Sequence, residues 1–384
     1  MGYGPAHALP LASGKGLRRH TFEHLSGKAP YGRLAPDGKR AVCWAENSPV
    51  LRLLDVETGR EENLLQGHWR TLSSLAVSSR SELIATASGD DTVRLWDLRN
   101  CRELHRWQTP GIGSPFVAFS PDGKILASCV RDGEKRPGTI HLWDEATGRE
   151  QRQFQTEAAG YLAFSGDGKL LFSAGRCRVQ AWDPAQGKLI RSMEEIPEAK
   201  EPPYQIDRDA PFQFWEIRAF AATANGKVVA AVVEQAAKER FYLWETATGK
   251  RVPVWSGRGL EAPIAFSPDG QTLAAVKHRR GTDYDVVLWD VSTGKERTRM
   301  PLNEQGCESV AFSPDGKLLA VGNRFDGAVH VRSIVDRKEI GRMRGPKGPV
   351  LVSFSHDGKA LISGGGDAAL LVWDLPGPAS PVAK

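Results

Sequence analysis

The stretch Cys307–Gly322, "CESVAFSPDGKLLAVG", is nearly repeated as "SPFVAFSPDGKILASC" at 114–129. Each copy sets two short apolar, β-type runs on either side of a Ser-Pro-Asp-Gly turn. Proline presets φ at the second turn position, and glycine accepts the left-handed conformation that a tight hairpin needs. The same turn returns as "APDGK" (35–39), "SGDGK" (165–169), "TANGK" (223–227), "SPDGQ" (267–271) and "SHDGK" (355–359), with a worn copy, "SSRSE", at 78–82. A second phrase follows each turn: "LLDVETGR" (53–60), "LWDLRNCR" (95–102), "LWDEATGR" (142–149), "AWDPAQGK" (181–188), "LWETATGK" (243–250), "LWDVSTGK" (288–295), "VRSIVDRK" (331–338) and "VWDLPGP" (372–378). From Leu54 to Trp373, seven steps cover 319 residues, a mean of about 46, which lies in the period range of propeller blades.

One unit therefore holds four short runs, a to d: two flank the Asp-Gly turn, a third ends in Trp-Asp, and a more polar fourth follows a Thr-Gly turn. The inner runs are apolar at nearly every position, so both faces of each sheet need cover. A ring of sheets packed face to face supplies it and leaves only short edges.

The recurring apolar-Trp-Asp after an Asp-Gly turn resembles the WD-repeat β-propeller family over residues 17–376. The resemblance implies an all-β fold, an eight-bladed propeller with four antiparallel strands per blade; seven blades is the alternative if the weak first unit is irregular. Trp96, Trp143, Trp182, Trp244, Trp289 and Trp373 keep the signature ring, and Leu54 and Arg332 replace it. Burying one such ring removes roughly 200 Å² from water, an upper bound of about 5 kcal/mol. The last unit stops at "WDLPGP", while "LRRHTF" (17–22) resembles the fourth runs "REQRQF" (149–154) and "KERTRM" (295–300). The N-terminal strand is thus expected to complete the last blade. Residues 1–16 read as a flexible leader, 17–376 as a single propeller domain with an insertion at 194–215, and 377–384 as a flexible tail.

The 384 residues are 40% hydrophobic and 25% charged, with net charge +5. That balance permits an acidic partner without arguing for nucleic acid. No run of 18 apolar residues occurs and the N-terminus does not read as a signal peptide, so the expectation is a cytoplasmic protein with no membrane contact. The five cysteines are scattered with no CxxC pair, so they suggest neither a disulfide framework nor a zinc site. No GxSxG, HExxH or phosphate loop occurs. "DRD" (207–209) and "DYD" (283–285) hold too few acids for a calcium site. The expected cofactor and metal content is none.

His68, Ser88 and Asp90 have the residue types of a nucleophilic triad. In the family that this sequence resembles, such positions form a structural network. Here it would join His68, Asp90, Thr86 or Ser88, and Trp96. Quinone-dependent propeller enzymes instead place a docking Trp four residues after the turn Gly, where this chain has Arg152, Pro253 and Thr298.

The a–b turns are almost all tight Asp-Gly types, and the c–d turns mostly Thr-Gly types. Length varies in the b–c loops and d–a links, and variation on one side of a repeat array marks a binding face; neutral drift of unconstrained loops would look similar. The candidate partner-binding residues there are Trp69, Phe116, Arg131, Arg136, Tyr161, Arg176, Arg178, Trp215, His278, Arg279, Arg280 and Arg324. The basic ones would suit an acidic or phosphorylated peptide. The reading is a non-catalytic scaffold for protein or peptide partners, a monomeric propeller within a larger assembly. The alternative is an eight-bladed enzyme or sensor holding a small ligand or cofactor in the central channel.

Overall fold

The computed structural model describes residues 17–21, 30–35, 37–45, 49–58, 60–65, 67–111, 115–130, 137–175, 178–196, 216–235, 238–252, 260–278, 283–325, 327–344, 350–355, 357–364 and 369–375. The leader, the tail and most of the insertion lie outside them.

The fold is all-β, an eight-bladed β-propeller of mostly four-stranded antiparallel sheets, with no helix among the described residues. Strands a to d of blade 2 are Leu72–Val77, Leu83–Ser88, Thr92–Asp97 and Arg102–Gln108. The other sheets repeat this order. Blade 1 begins at Pro30–Leu34, blade 3 at Phe116–Phe119, blade 4 at Tyr161–Phe164, blade 5 at Glu216–Ala222, blade 6 at Leu260–Phe266, blade 7 at Cys307–Phe312 and blade 8 at Leu351–Phe354. Blade 8 takes its fourth strand from Leu17–Thr21, which pairs antiparallel with Ala369–Asp374 in the register Leu17 to Trp373 and Thr21 to Ala369. Blade 5 departs from the expected four strands: three are described, and its fourth position holds one bridge, Trp244 to Arg251.

The turn chemistry explains why the pattern is so regular. In blade 3 the Ser120 hydroxyl donates to the Asp122 carboxylate at 2.6 Å and accepts the Ile125 N–H at 2.9 Å. Gly123 follows at φ 75°, where a Cβ would be strained. The Ser hydrogen bond, helped by the following Lys N–H, holds Asp122, Asp315 and Asp357 below the usual carboxylate range. At the c–d turn, the Asp144 carboxylate accepts both the N–H and the hydroxyl of Thr147. The acids of the signature phrases are therefore turn locks.

The chain forms two compact units, one of Met1–Gly67, Arg279–Val286 and Thr298–Lys384, the other of His68–His278 and Val287–Arg297. In the second, each successive pair of blades closes over its own core. Leu95, Trp107, Leu126 and Trp143 join blades 2 and 3; Ile140, Leu142, Leu171 and Trp182 join blades 3 and 4. Phe172, Val229, Val233 and Trp244 join blades 4 and 5, where Met193 and, from the start of the insertion, Ile196 are also buried. In the first unit, Val331 and Leu371 belong to a core shared by blades 7 and 8, and Leu54 and Val372 to one shared by blades 8 and 1.

Blades in the second unit are also tied by their rims. Trp107 Nε1 donates to the Gly148 carbonyl at 2.8 Å, Arg152 Nη1 to that of Gln186 at 3.2 Å, and Arg191 Nη1 to that of Thr248 at 3.3 Å. Arg152 and Arg191 stand four residues after Gly148 and Gly187. An arginine thus docks the next blade from the position where quinone-dependent propellers carry tryptophan.

Candidate functional site

The best-defined candidate site starts from a buried network in blade 2. Asp90 follows strand b and His68 precedes strand a, so the fold brings them together across the b–c turn. The His68 Nδ1 lies 2.9 Å from Asp90 Oδ2 and its Nε2 lies 2.8 Å from Thr86 Oγ1. Trp96 Nε1 donates to the same Thr86 oxygen at 2.8 Å. Burial lowers the His68 pKa against the pull of Asp90, which keeps the ring neutral. One proton arrangement then satisfies every contact: the indole N–H donates to Thr86, the Thr86 hydroxyl donates to Nε2, and Nδ1–H donates to Asp90. Burial pushes the Asp90 carboxyl up, but hydrogen bonds from Thr92 and His68 and the Trp69 N–H outweigh it and hold Asp90 below its ordinary value.

The Ser88 hydroxyl donates to the Arg70 carbonyl at 2.9 Å and accepts the Asp90 N–H at 3.2 Å. It is committed to backbone, on a different task from His68. These groups hold chain in place, and what they hold is the Trp69–Arg70 pair: the Trp69 N–H donates to Asp90 Oδ2 at 3.2 Å. Trp69 is 67% exposed, and the Arg70 guanidinium stacks over its ring at 4.5 Å while Nη1 donates to the Gly89 carbonyl at 3.3 Å.

Other blades keep only part of the network. Ser128, Ser173 and Ser363 accept Trp143, Trp182 and Trp373 at 2.9, 3.0 and 3.0 Å. Blade 4 substitutes Thr156, which bonds Ser173 and Gln180. Trp244 turns to the Glu194 carbonyl at 2.9 Å, fastening the start of the insertion.

The remaining sequence candidates divide. Phe116 and Tyr161, first residues of strand a in blades 3 and 4, meet with ring centroids 5.0 Å apart, and the Tyr161 hydroxyl donates to the Arg218 carbonyl at 3.0 Å. Arg178 pairs with Glu157 at 2.8 Å and Glu195 at 3.3 Å, and Arg324 with Glu308 at 3.0 Å. These are partly neutralised cations. His278 ends strand b of blade 6 (Thr272–His278), and its side chain lies outside the described residues, as do Arg131, Arg136, Arg176, Trp215, Arg279 and Arg280. Trp69, Arg70, Phe116, Tyr161 and Arg178 belong to one unit; Arg324 belongs to the other.

Sequence reasoning passed over Arg70, although it adjoins Trp69 in "GHWR". It also passed over Phe325, 57% exposed beside Arg324, and over a latch between strands c and d. Arg52–Glu61 and Arg94–Glu103 are ion pairs at 2.5 and 2.7 Å, and His141 and His330 lie within hydrogen-bond distance of Glu150 and Glu339 at 2.6 and 3.0 Å. The constant spacing of nine residues was the available signal. Among the described residues no three His, Cys, Asp or Glu side chains cluster as metal ligands. Asp285 is buried with Arg299 3.7 Å away.

The lowered His68 pKa makes a pH prediction. An unfolded histidine titrates near ~6.5, and the folded group lower. The unfolded chain therefore binds more protons in that window, so the contribution of His68 is complete above ~6.5 and lost as pH falls. The stability difference between wild type and His68→Gln should narrow from pH 7.5 to 5 in denaturant titrations. A difference independent of pH would contradict a neutral, buried ring.

The chain matches the family described as WD domain, G-beta repeat, at residues 59–97, 116–144, 295–333 and 337–374. Three of these segments begin just before strand d of one blade and end in strand c of the next, the same offset that leaves the last blade to receive Leu17–Thr21. Over 350 residues the chain is 25% identical to telomerase protein component 1 of Rattus norvegicus, covering 89% of this chain and 12% of that protein. It is 25% identical to WD repeat-containing protein 82 of Drosophila melanogaster, covering 59% and 67% respectively. Over 152 residues it is 30% identical to eukaryotic translation initiation factor 3 subunit I of Candida albicans, covering 35% and 43%. With four segments matching that repeat, eight blades in the fold and the Trp-Asp turns in place, the chain belongs to the WD40-repeat family.

Proposed function

We propose that this propeller is a non-catalytic scaffold that holds a protein or peptide on the b–c/d–a ends of its blades. One observation carries the reading: an exposed Trp69, stacked by Arg70, is fixed by a fully bonded buried network directly beneath it. Aromatic and arginine side chains dominate interface hot spots, and rigid presentation lowers the entropy lost on binding. The two large aromatics exposed among the described residues, Trp69 and Phe325, both lie on loops of this kind. The groups that could suggest catalysis are engaged within the fold: His68 is bonded to Asp90 and Thr86, and Ser88 and Asp90 hold the backbone of Arg70 and Trp69. The names of two relatives, a component and a subunit, add support for protein partners.

The test is quantitative affinity purification from the native cell. A loop-end variant, Trp69→Ala with Phe116→Ala, Arg178→Glu and Arg324→Glu, should lose stoichiometric partners. A turn-end variant, Lys124→Glu with Lys317→Glu, should keep them. Equal recovery from both would remove the loop ends from the account.

A further inference from the structure

Among the described arginines on b–c/d–a ends, most are already answered by an acid. Arg178 meets Glu157 and Glu195, Arg218 meets Glu234, and Arg324 meets Glu308. Arg70 differs. Its guanidinium makes one hydrogen bond, Nη1 to the Gly89 carbonyl, and lies over the Trp69 ring. No carboxylate among the described residues pairs with it. A guanidinium carries five N–H donors, so most of its fork faces outward unpaired. Its position is nonetheless defined: Ser88 fixes its carbonyl, Asp90 fixes the neighbouring N–H, and the indole holds its plane.

We propose that Trp69 and Arg70 form an anchor for an acidic side chain, Asp or Glu, of a partner peptide, with an adjacent apolar side chain of that peptide packing on the open part of the indole. The proposal rests on the scaffold reading and names its partner's chemistry. A carboxylate matches a guanidinium fork bidentately. A phosphoryl group would bring a second charge, and such groups are recognised by clusters of arginine; the described arginines Arg178, Arg218 and Arg324 are already paired with their own glutamates. The geometry thus favours a single negative charge. Trp69 supplies the apolar contact, being two-thirds exposed.

The experiment uses the whole purified chain and immobilised random heptapeptide pools that differ in one fixed central residue: Glu, Gln, Lys or phosphoserine. Wild type should retain the Glu pool about tenfold over the Gln pool, as expected for a charge-assisted hydrogen bond. Arg70→Gln should abolish that preference, and Arg70→Glu should shift it to the Lys pool. Trp69→Ala should weaken retention of all pools while keeping the order. Unchanged thermal melting verifies folding, as both side chains are exposed. A Glu preference surviving in Arg70→Gln, a preference for phosphoserine, or no retention above background would each overturn the proposal. Its failure is separable from that of the scaffold reading, whose loop-end variant leaves Arg70 intact. Partners lost in that variant while the pools ignore Arg70 would sink the anchor alone. Pools selected through Arg70 with cellular partners unaffected would sink the scaffold reading.

Discussion

Trp96→Ala should destabilise blade 2 by about 3–5 kcal/mol, the range for a large buried aromatic removed from a packed site. The ring is 2% exposed. It contributes more than volume, because its N–H is the donor at one end of the relay through Thr86 and His68 to Asp90. Trp96→Phe separates the two terms. It retains most of the apolar contact and removes the donor, so it should cost about 1–3 kcal/mol. Because blades are coupled chiefly to their neighbours, the effect should be concentrated locally. Hydrogen exchange of Leu83–Ser88 and Thr92–Asp97 should accelerate more in Trp96→Ala than that of the equivalent strands of blade 4. A loss below about 1 kcal/mol would mean that the network is ornamental to stability.

Deleting residues 1–21 should have an effect of similar or greater size. The deletion removes the strand Leu17–Thr21, five residues in continuous antiparallel register with Ala369–Asp374. At about 0.5–1.5 kcal/mol for each net hydrogen bond, losing a ladder of this length costs on the order of 5 kcal/mol. It also opens the edge of a strand whose Leu371, Val372 and Trp373 are buried in cores shared with blades 7 and 1. An uncovered apolar edge strand invites pairing with other chains. The truncated protein should therefore unfold at lower denaturant and show concentration-dependent association by light scattering. Transferring residues 17–29 to follow residue 384 should restore much of the lost stability, since the strand needs only to lie beside Ala369–Asp374. A truncated chain as stable and monodisperse as wild type would refute the role assigned to this strand.

The repeat was legible because it is built from local chemistry. A Ser-x-Asp-Gly turn closes on itself through Ser and Asp hydrogen bonds within five residues, so its sequence is sufficient to announce it. The exceptions follow the same logic: Cys101 and Arg337 take the left-handed position that glycine holds elsewhere, at φ 50° and 56°. The chain order alone also implied that the first strand belongs to the last blade. The fourth strand of blade 5 was expected on the same grounds, and there only the Trp244–Arg251 bridge is described.

The site was legible only in part. Thr86 and Ser88 are two residues apart on one strand and therefore share a face. Either could have accepted the Trp96 donor, and sequence left both open. The packed register decided it: Thr86 faces His68 and Trp96, while Ser88 reaches the Arg70 carbonyl. The arginines present the same division. Residue counts identify cations at the loop ends, but Arg218 and Glu234 are 16 residues apart, as are Arg324 and Glu308, and Arg178 and Glu157 are 21 apart. Whether such groups meet depends on strands lying side by side. Local turn chemistry and periodicity thus specified the number and kind of blades. Which charges are paired within the fold was settled by tertiary packing, because hydrogen bonds and ion pairs act over a few ångströms of space and not along the chain.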